Sequence, residues 1–219
     1  MKRPLKFVSA SVMSLLLIVS VIINVVPHKN EAGVSTINDY NMEAVMLSTD
    51  SGQRALLYNE IDTDTLEDFL HNNKIGNIDY LFLKDLPSEY DLEFLNTYNV
   101  KRVLALSEEG TSLIYNVTTN TYLQAGDFTI NYVEVENVFL GFEINFNQRQ
   151  IFVASFSLVS YNDIDKLNQY LYYKDFDIVY MSGYTSYKSD GRIEELTYIS
   201  DGNVKLTFGE NGCRVWRID

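Results

Sequence analysis

The chain has 219 residues with 30 acidic side chains, two histidines and one cysteine, and its net charge is −13. That length allows one substantial core and is short for two domains, and the lone Cys213 closes no internal disulfide. The charges before Glu31 are all basic (Lys2, Arg3, Lys6, Lys29), so from Glu31 onward 13 basic residues meet 30 acidic ones, a net of −17. A domain this acidic repels phosphate backbones, which disfavours direct nucleic-acid binding; the acid chiefly keeps a surface domain soluble.

Residues 1–6 form a basic stub. Residues 7–26 carry no charge, and the run SASVMSLLLIVSVIINVV has the roughly 20 residues needed to cross a bilayer core. Val25-Val26-Pro27 stands where a cleavage site would place small residues, so an uncleaved single-pass anchor is expected. The basic end then stays in the cytoplasm and the rest of the chain is extracytoplasmic at the cell membrane. Residues 27–37 read as a polar linker and residues 38–219 as the domain.

Within the domain, residues 43–47 and 54–58 read as strands around Thr49-Asp50-Ser51-Gly52-Gln53, in which Asp-Ser-Gly is a hairpin signal. Residues 62–73 have helical periodicity, with Leu66, Phe69 and Leu70 on one face and Thr63 or Thr65 placed to cap it. The continuous run IDYLFL, residues 78–83, suits a strand buried on both faces. A second helix is predicted over 88–98, with Leu92 and Leu95 inward, and a strand over 101–106. Five strands follow at 113–117, 121–124, 128–135, 138–146 and 150–156. A third helix covers 163–173, with Ile164, Leu167 and Leu171 on one side. A short strand spans 178–181, and a last hairpin joins 203–208 to 214–218 across Gly209-Glu210-Asn211-Gly212. Helix–strand alternation on either side of a strand meander predicts an α/β fold of two mixed sheets packed together, with helices on the outer faces. The 16 tyrosines and 12 phenylalanines then serve the core and sheet faces; no basic residues interleave them as a nucleic-acid stacking platform would require.

The chemistry-bearing residues exclude several classes. His28 and His71 stand in no metal-ligand spacing, and a zinc or manganese hydrolase site normally needs several imidazoles with carboxylates. A serine triad also needs a histidine base, and no nucleophile elbow accompanies His71. Neither phosphate-binding glycine motif occurs. Carboxylate pairs such as Asp62/Asp64 and Glu194/Glu195 are what 30 acids produce by chance.

The order of elements is more telling. VSTINDYNMEAVMLSTDSGQRALLYNE, then IDYLFL running into Lys84-Asp85-Leu86-Pro87-Ser88-Glu89-Tyr90, then IFVASF, then DIVYMSGYTS and the closing SDGNVKLTFGENGCRVWRID, resemble the extracytoplasmic metallo-β-lactamase-type domain of ComEC-family competence proteins. In that family the first stretch carries D-x-G-Q-G-D and ends in L-I-D, the second runs into H-x-H-x-D-H, the third ends in T-G-D, and the fourth carries a paired histidine. Here residues 38–43 (Asn-Asp-Tyr-Asn-Met-Glu, with Asp39) occupy the first signature, and Tyr58 stands at its aspartate. Asp85, Pro87, Glu89 and Tyr90 replace the second motif, Phe156 the third aspartate, and Gly183 and Tyr184 the histidine pair. The segment that would carry a final histidine-proline is shortened or missing between Ser189 and Ile199.

The resemblance implies a four-layer αββα metallo-β-lactamase-like sandwich behind one N-terminal transmembrane helix, with a link to DNA uptake. The family's metal-dependent phosphodiesterase chemistry depends on a metal-activated water, and that requires the ligands. The expectation is therefore a catalytically inactive structural or binding module with no cofactor, whose degenerate cleft is marked by Asp39, Tyr58, Asp85, Glu89, Tyr90, Phe156, Gly183 and Tyr184. Its partners would be the membrane and another membrane or cell-surface protein. Two alternatives stay open: a hydrolase with a carboxylate-based site, in which Asp39, Asp85 and Glu89 hold a hard cation such as magnesium, and an unrelated cell-surface binding domain.

Overall fold

The computed structural model describes residues 32–39, 42–59, 63–85, 93–94, 96–106, 114–155, 158, 160–181, 196–198, 203–209 and 212–218. The chain divides into one unit over Met1–Asn30 and another over Glu31–Asp219; the predicted anchor lies outside the described residues. Among those described, no helix is long and apolar enough to cross a membrane.

The second unit contains two sheets. The first strand, β1 (Gly33–Asp39), pairs antiparallel with β2 (Met42–Ser48), which turns through Thr49–Gln53 into β3 (Arg54–Asn59). After helix α1 (Thr63–Asn72) come the parallel strands β4 (Tyr80–Leu83), β5 (Arg102–Leu106) and β6 (Ile114–Val117). A meander follows: β7 (Tyr122–Ala125), β8 (Phe128–Val135), β9 (Val138–Phe146) and β10 (Arg149–Ala154). Helix α2 (Tyr161–Tyr172) then leads to β11 (Ile178–Met181), which runs parallel to β10 and to the short β12 (Leu196–Tyr198). The closing hairpin, β13 (Asn203–Gly209) and β14 (Gly212–Ile218), returns to the first sheet beside β1. The strand orders are β14-β13-β1-β2-β3-β4-β5-β6 and β12-β11-β10-β9-β8-β7.

The inner faces share one core. Val45, Leu47, Leu57, Phe82 and Leu104 of the larger sheet meet Phe128, Ile130, Tyr132, Phe142, Ile144, Ile151 and Val153 of the smaller. Outside the larger sheet, Leu66, Phe69 and Leu70 of α1 cover Ala44, Met46, Leu56 and Leu81. Outside the smaller one, Leu167 and Leu171 of α2 cover Leu140, Phe152, Ala154 and Val179. The layers are helix, sheet, sheet and helix: a mixed α/β architecture, as the alternation of elements predicts. Each fully buried large side chain contributes about 1.5–3 kcal/mol. That explains why β4, buried on both faces, is an unbroken apolar run.

The structure departs from the sequence reading at both ends of the domain. Strand β1 takes in residues 33–37, which polarity alone assigns to the linker. Its Val34 is buried in the core and Thr36 is 1 % exposed, and a strand built as Gly-Val-Ser-Thr-Ile shows too little apolar contrast to be read as one. Strand β12 also has no counterpart in the reading; three residues are too few to show a period of two. Ser160 caps α2, its Oγ accepting from the Asp163 backbone N–H at 3.1 Å, so the helix begins two residues earlier than its apolar stripe.

Candidate functional site

Side-chain contacts between the two sheets fix which strand ends lie together, and these decide which loops can share a site. At one end the ring of Tyr80, which opens β4, lies edge-on to Phe128, which opens β8. Phe128 touches Phe146 at the end of β9, and Phe146 touches Phe208 of β13. The Arg149 guanidinium, at the start of β10, sits 5.8 Å over the Phe208 ring and bonds Asp177 at 3.1 Å, just before β11. Strands β4, β10 and β11 therefore all start at this end and finish at the opposite rim.

The starting end is closed by a polar latch between the sheets. Ser51 and Thr49 hydroxyls both donate to the Asp127 carboxylate, and the Asp127 backbone N–H donates to Gln53 Oε1 at 2.9 Å. Gly126 is held at φ +61 with Gln53 Oε1 only 2.1 Å from where a Cβ would be.

The opposite rim is where the predicted cleft positions fall along the chain. Asp39 ends β1 opposite Met42, one ladder step from the Glu43–Asn59 pair that ends β3, and the Tyr58 backbone pairs with Ala44. Asp85 stands two residues after the end of β4, and the Leu106 N–H donates to the Lys84 carbonyl at 3.1 Å, so the turn after β4 is tied to the end of β5. Ser155, after β10, donates its N–H to the Leu140 carbonyl at 2.8 Å. The backbone thus brings the ends of β1, β3, β4, β10 and β11 to one rim. The side chain of Asp85 is 76 % exposed there, 4.0 Å from Lys84 Nζ. Glu89, Tyr90, Phe156, Gly183 and Tyr184 lie outside the described residues, as do the side chains of Asp39 and Tyr58.

The donor set at this rim does not fit the metal centre that the family resemblance implies. Of the matched positions only the Asp85 side chain is described, and it faces solvent. In the sequence the rest are Asp39, Glu89, four aromatic or glycine replacements (Tyr90, Phe156, Gly183, Tyr184) and Tyr58, with no imidazole, which a hydrolytic zinc or manganese site needs. Among the described residues no group of three or more His, Cys, Asp or Glu side chains is placed to hold a metal ion.

A second polar cluster, missed by reading the sequence, lies on the outer face of the smaller sheet. Glu143 of β9 is 4 % exposed. Its carboxylate accepts from the Tyr122 hydroxyl at 2.7 Å, the Tyr170 hydroxyl at 2.9 Å and Asn131 Nδ2 at 3.4 Å. Burial, followed by the hydrogen bond to Glu143, pushes the Tyr122 phenol up to about 12 and raises Tyr170 well above the usual phenol range. The signal was present: Glu143 is the one acid in VFLGFEINF, and a carboxylate in an apolar strand must find donors.

No protein-family model matches the chain, and no curated protein matches it. Among solved structures it is similar to the metallo-beta-lactamase fold protein YhfI from Bacillus subtilis, at 10 % identity over 70 % of this chain and 71 % of that one, with a TM-score of 0.48. It is also similar to a metallo-beta-lactamase from Staphylococcus aureus, at 8 % identity over 53 % of this chain and 39 % of that one, with a TM-score of 0.40. These are likenesses of shape at low identity to metallo-β-lactamase fold proteins, and neither is particular to ComEC-type proteins.

Proposed function

We propose that this chain is a membrane-anchored, catalytically inactive metallo-β-lactamase-like domain, related to the extracytoplasmic part of ComEC-type DNA-uptake proteins, that serves as a structural or binding module at the cell membrane. One observation carries the reading. The backbone brings the ends of β1, β3, β4, β10 and β11 to a single rim, and the matching sequence positions hold no histidine: they read Tyr58, Tyr90, Phe156, Gly183 and Tyr184, with Asp39, Asp85 and Glu89 the carboxylates among them. Strand ends gathered in this way, with every imidazole ligand replaced, support retention of the architecture for something other than zinc- or manganese-dependent hydrolysis. The apolar run at residues 7–26 supports the anchor, and the acidic domain supports a protein partner over nucleic acid.

The test uses the full chain in detergent. Metal content is measured after purification, and hydrolysis of a phosphodiester is followed with added zinc, manganese or magnesium. The expected result is no stoichiometric metal and no turnover above the protein-free control. Stoichiometric metal with metal-dependent turnover overturns the proposal. Magnesium-dependent turnover abolished by Asp85→Ala would instead establish a carboxylate-based hydrolase.

A further inference from the structure

On β9, Phe142 and Ile144 point into the shared core, so Glu143 and Asn145 occupy the outer face. Asn131 of β8 lies directly opposite Glu143, and Thr129 opposite Asn145. Four oxygen-bearing side chains thus share one sheet face as two facing pairs, Asn131 with Glu143 and Thr129 with Asn145, and the Cβ atoms within such a pair are about 4.5–5.5 Å apart. Two of their oxygens, Asn131 Oδ1 and Asn145 Oδ1, are buried with no hydrogen-bond partner. The Tyr122 and Tyr170 hydroxyls and Asn131 Nδ2 serve Glu143, and the Thr129 hydroxyl donates to Gln124 Oε1 at 2.8 Å.

The cation beside this cluster is Lys174, just beyond α2. Its ammonium is 3.6 Å from Glu143 Oε2 and 5.5 Å from the centre of the Tyr170 ring. The carboxylate is 5 % exposed but the lysine 42 %. A separation of 3.6 Å exceeds the roughly 2.7–2.9 Å of a charge-assisted hydrogen bond. The lysine supplies charge from the edge of the cluster and leaves both amide oxygens unserved. What would satisfy the cluster is a positive group with several N–H donors, held against an aromatic face.

We propose that Glu143, Asn131 and Asn145, flanked by Tyr122 and Tyr170, form a binding site for a small primary alkylammonium ligand, and that Lys174 occupies its mouth as a tethered competitor. An ammonium has three N–H donors, one for each of Glu143 Oε2, Asn131 Oδ1 and Asn145 Oδ1. The surplus of negative charge on the domain favours the approach of a cation.

The experiment titrates n-butylammonium chloride, tetramethylammonium chloride and sodium chloride, at equal ionic strength, into the full chain in detergent, before and after Lys174→Ala. Binding is followed calorimetrically and by thermal unfolding. Lys174→Ala is expected to bind butylammonium saturably, one per chain, and about tenfold or more tighter than the parent, because the tethered competitor is gone. Tetramethylammonium, which has no N–H, and sodium should not reproduce the effect. Adding Glu143→Gln should weaken butylammonium binding by about tenfold or more. Should that variant not fold, Asn145→Leu in the Lys174→Ala background should also weaken it. Equal responses to all three salts, no saturable binding by Lys174→Ala, or equal affinity in the parent and Lys174→Ala overturns the proposal. The ligand is an amine and the readout is binding, so this result is independent of the phosphodiester assay.

Discussion

Glu143 shows at the scale of one residue how a buried charge shapes its surroundings. A carboxylate in an apolar strand is costly unless donors surround it, and here strand β7, strand β8 and helix α2 each contribute one. The tyrosines that donate are consequently harder to ionise. Their folded pKa lies above the unfolded value of about 10, so their contribution to stability is complete below pH ~10 and is lost as pH rises through it toward 12. Alkaline titration should therefore show unfolding accompanied by late tyrosinate absorbance. The Tyr122→Phe variant is expected to lose the component that titrates near 12 and, by taking one donor from the buried Glu143, about 1–3 kcal/mol of stability at neutral pH. A variant with an unchanged alkaline profile would mean that Tyr122 does not sense Glu143.

At the scale of elements, the smaller sheet depends on a distortion in β9. Gly141 sits at φ +146, and a Cβ there would meet the Val153 carbonyl oxygen at 2.2 Å and Ala154 Cα at 2.9 Å, both backbone atoms of the neighbouring β10. The ladder to β8 shifts register beside it, between Val133 and Glu134, as expected of a bulge that bends a strand. Gly141→Ala must move the backbone of a central strand and is expected to cost about 2–4 kcal/mol. Ser160→Ala removes only the N-cap of α2 and should cost about 1 kcal/mol. Chemical denaturation of both variants checks the ranking; equal losses would show that β10 yields to the added methyl.

Most elements were legible along the chain because their signals are local. The apolar stripe of α1, the turn after β2 and the alternation through β8 and β9 each lie within a dozen residues. Strand β1 was not legible because Gly-Val-Ser-Thr-Ile carries too little apolar contrast, although it pairs with the adjacent β2 as well as with the distant β13; β12 was not because three residues show no period and its partner β11 is distant in sequence. The candidate rim was legible in part: a sequence shows which residues follow which strand, but not which strand ends the sheet pairing and the contacts between the sheets bring together. The Glu143 cluster joins residues 122, 131, 143, 170 and 174 and was invisible except for the lone acid itself.

At the scale of the whole molecule, charge governs what can approach. From Glu31 onward the net charge is −17, and affinity for a phosphate backbone comes mainly from Lys and Arg releasing counterions. The full chain in detergent should show no salt-sensitive retention on duplex or single-stranded DNA at physiological salt without divalent metal. Tight binding that weakens steeply with salt would contradict this.

The amino-acid sequence alone determined the acidity, the apolar run at residues 7–26, the order of the helices and strands apart from β1 and β12, and the residue types at the matched positions, because these are properties of composition and short-range period. Only the tertiary structure decided that the strand ends meet at one rim, that a polar latch closes the other, and that Glu143 collects its donors from three elements. Those relations are set by sheet pairing and by the burial of side chains far apart in the chain, and no local pattern encodes them.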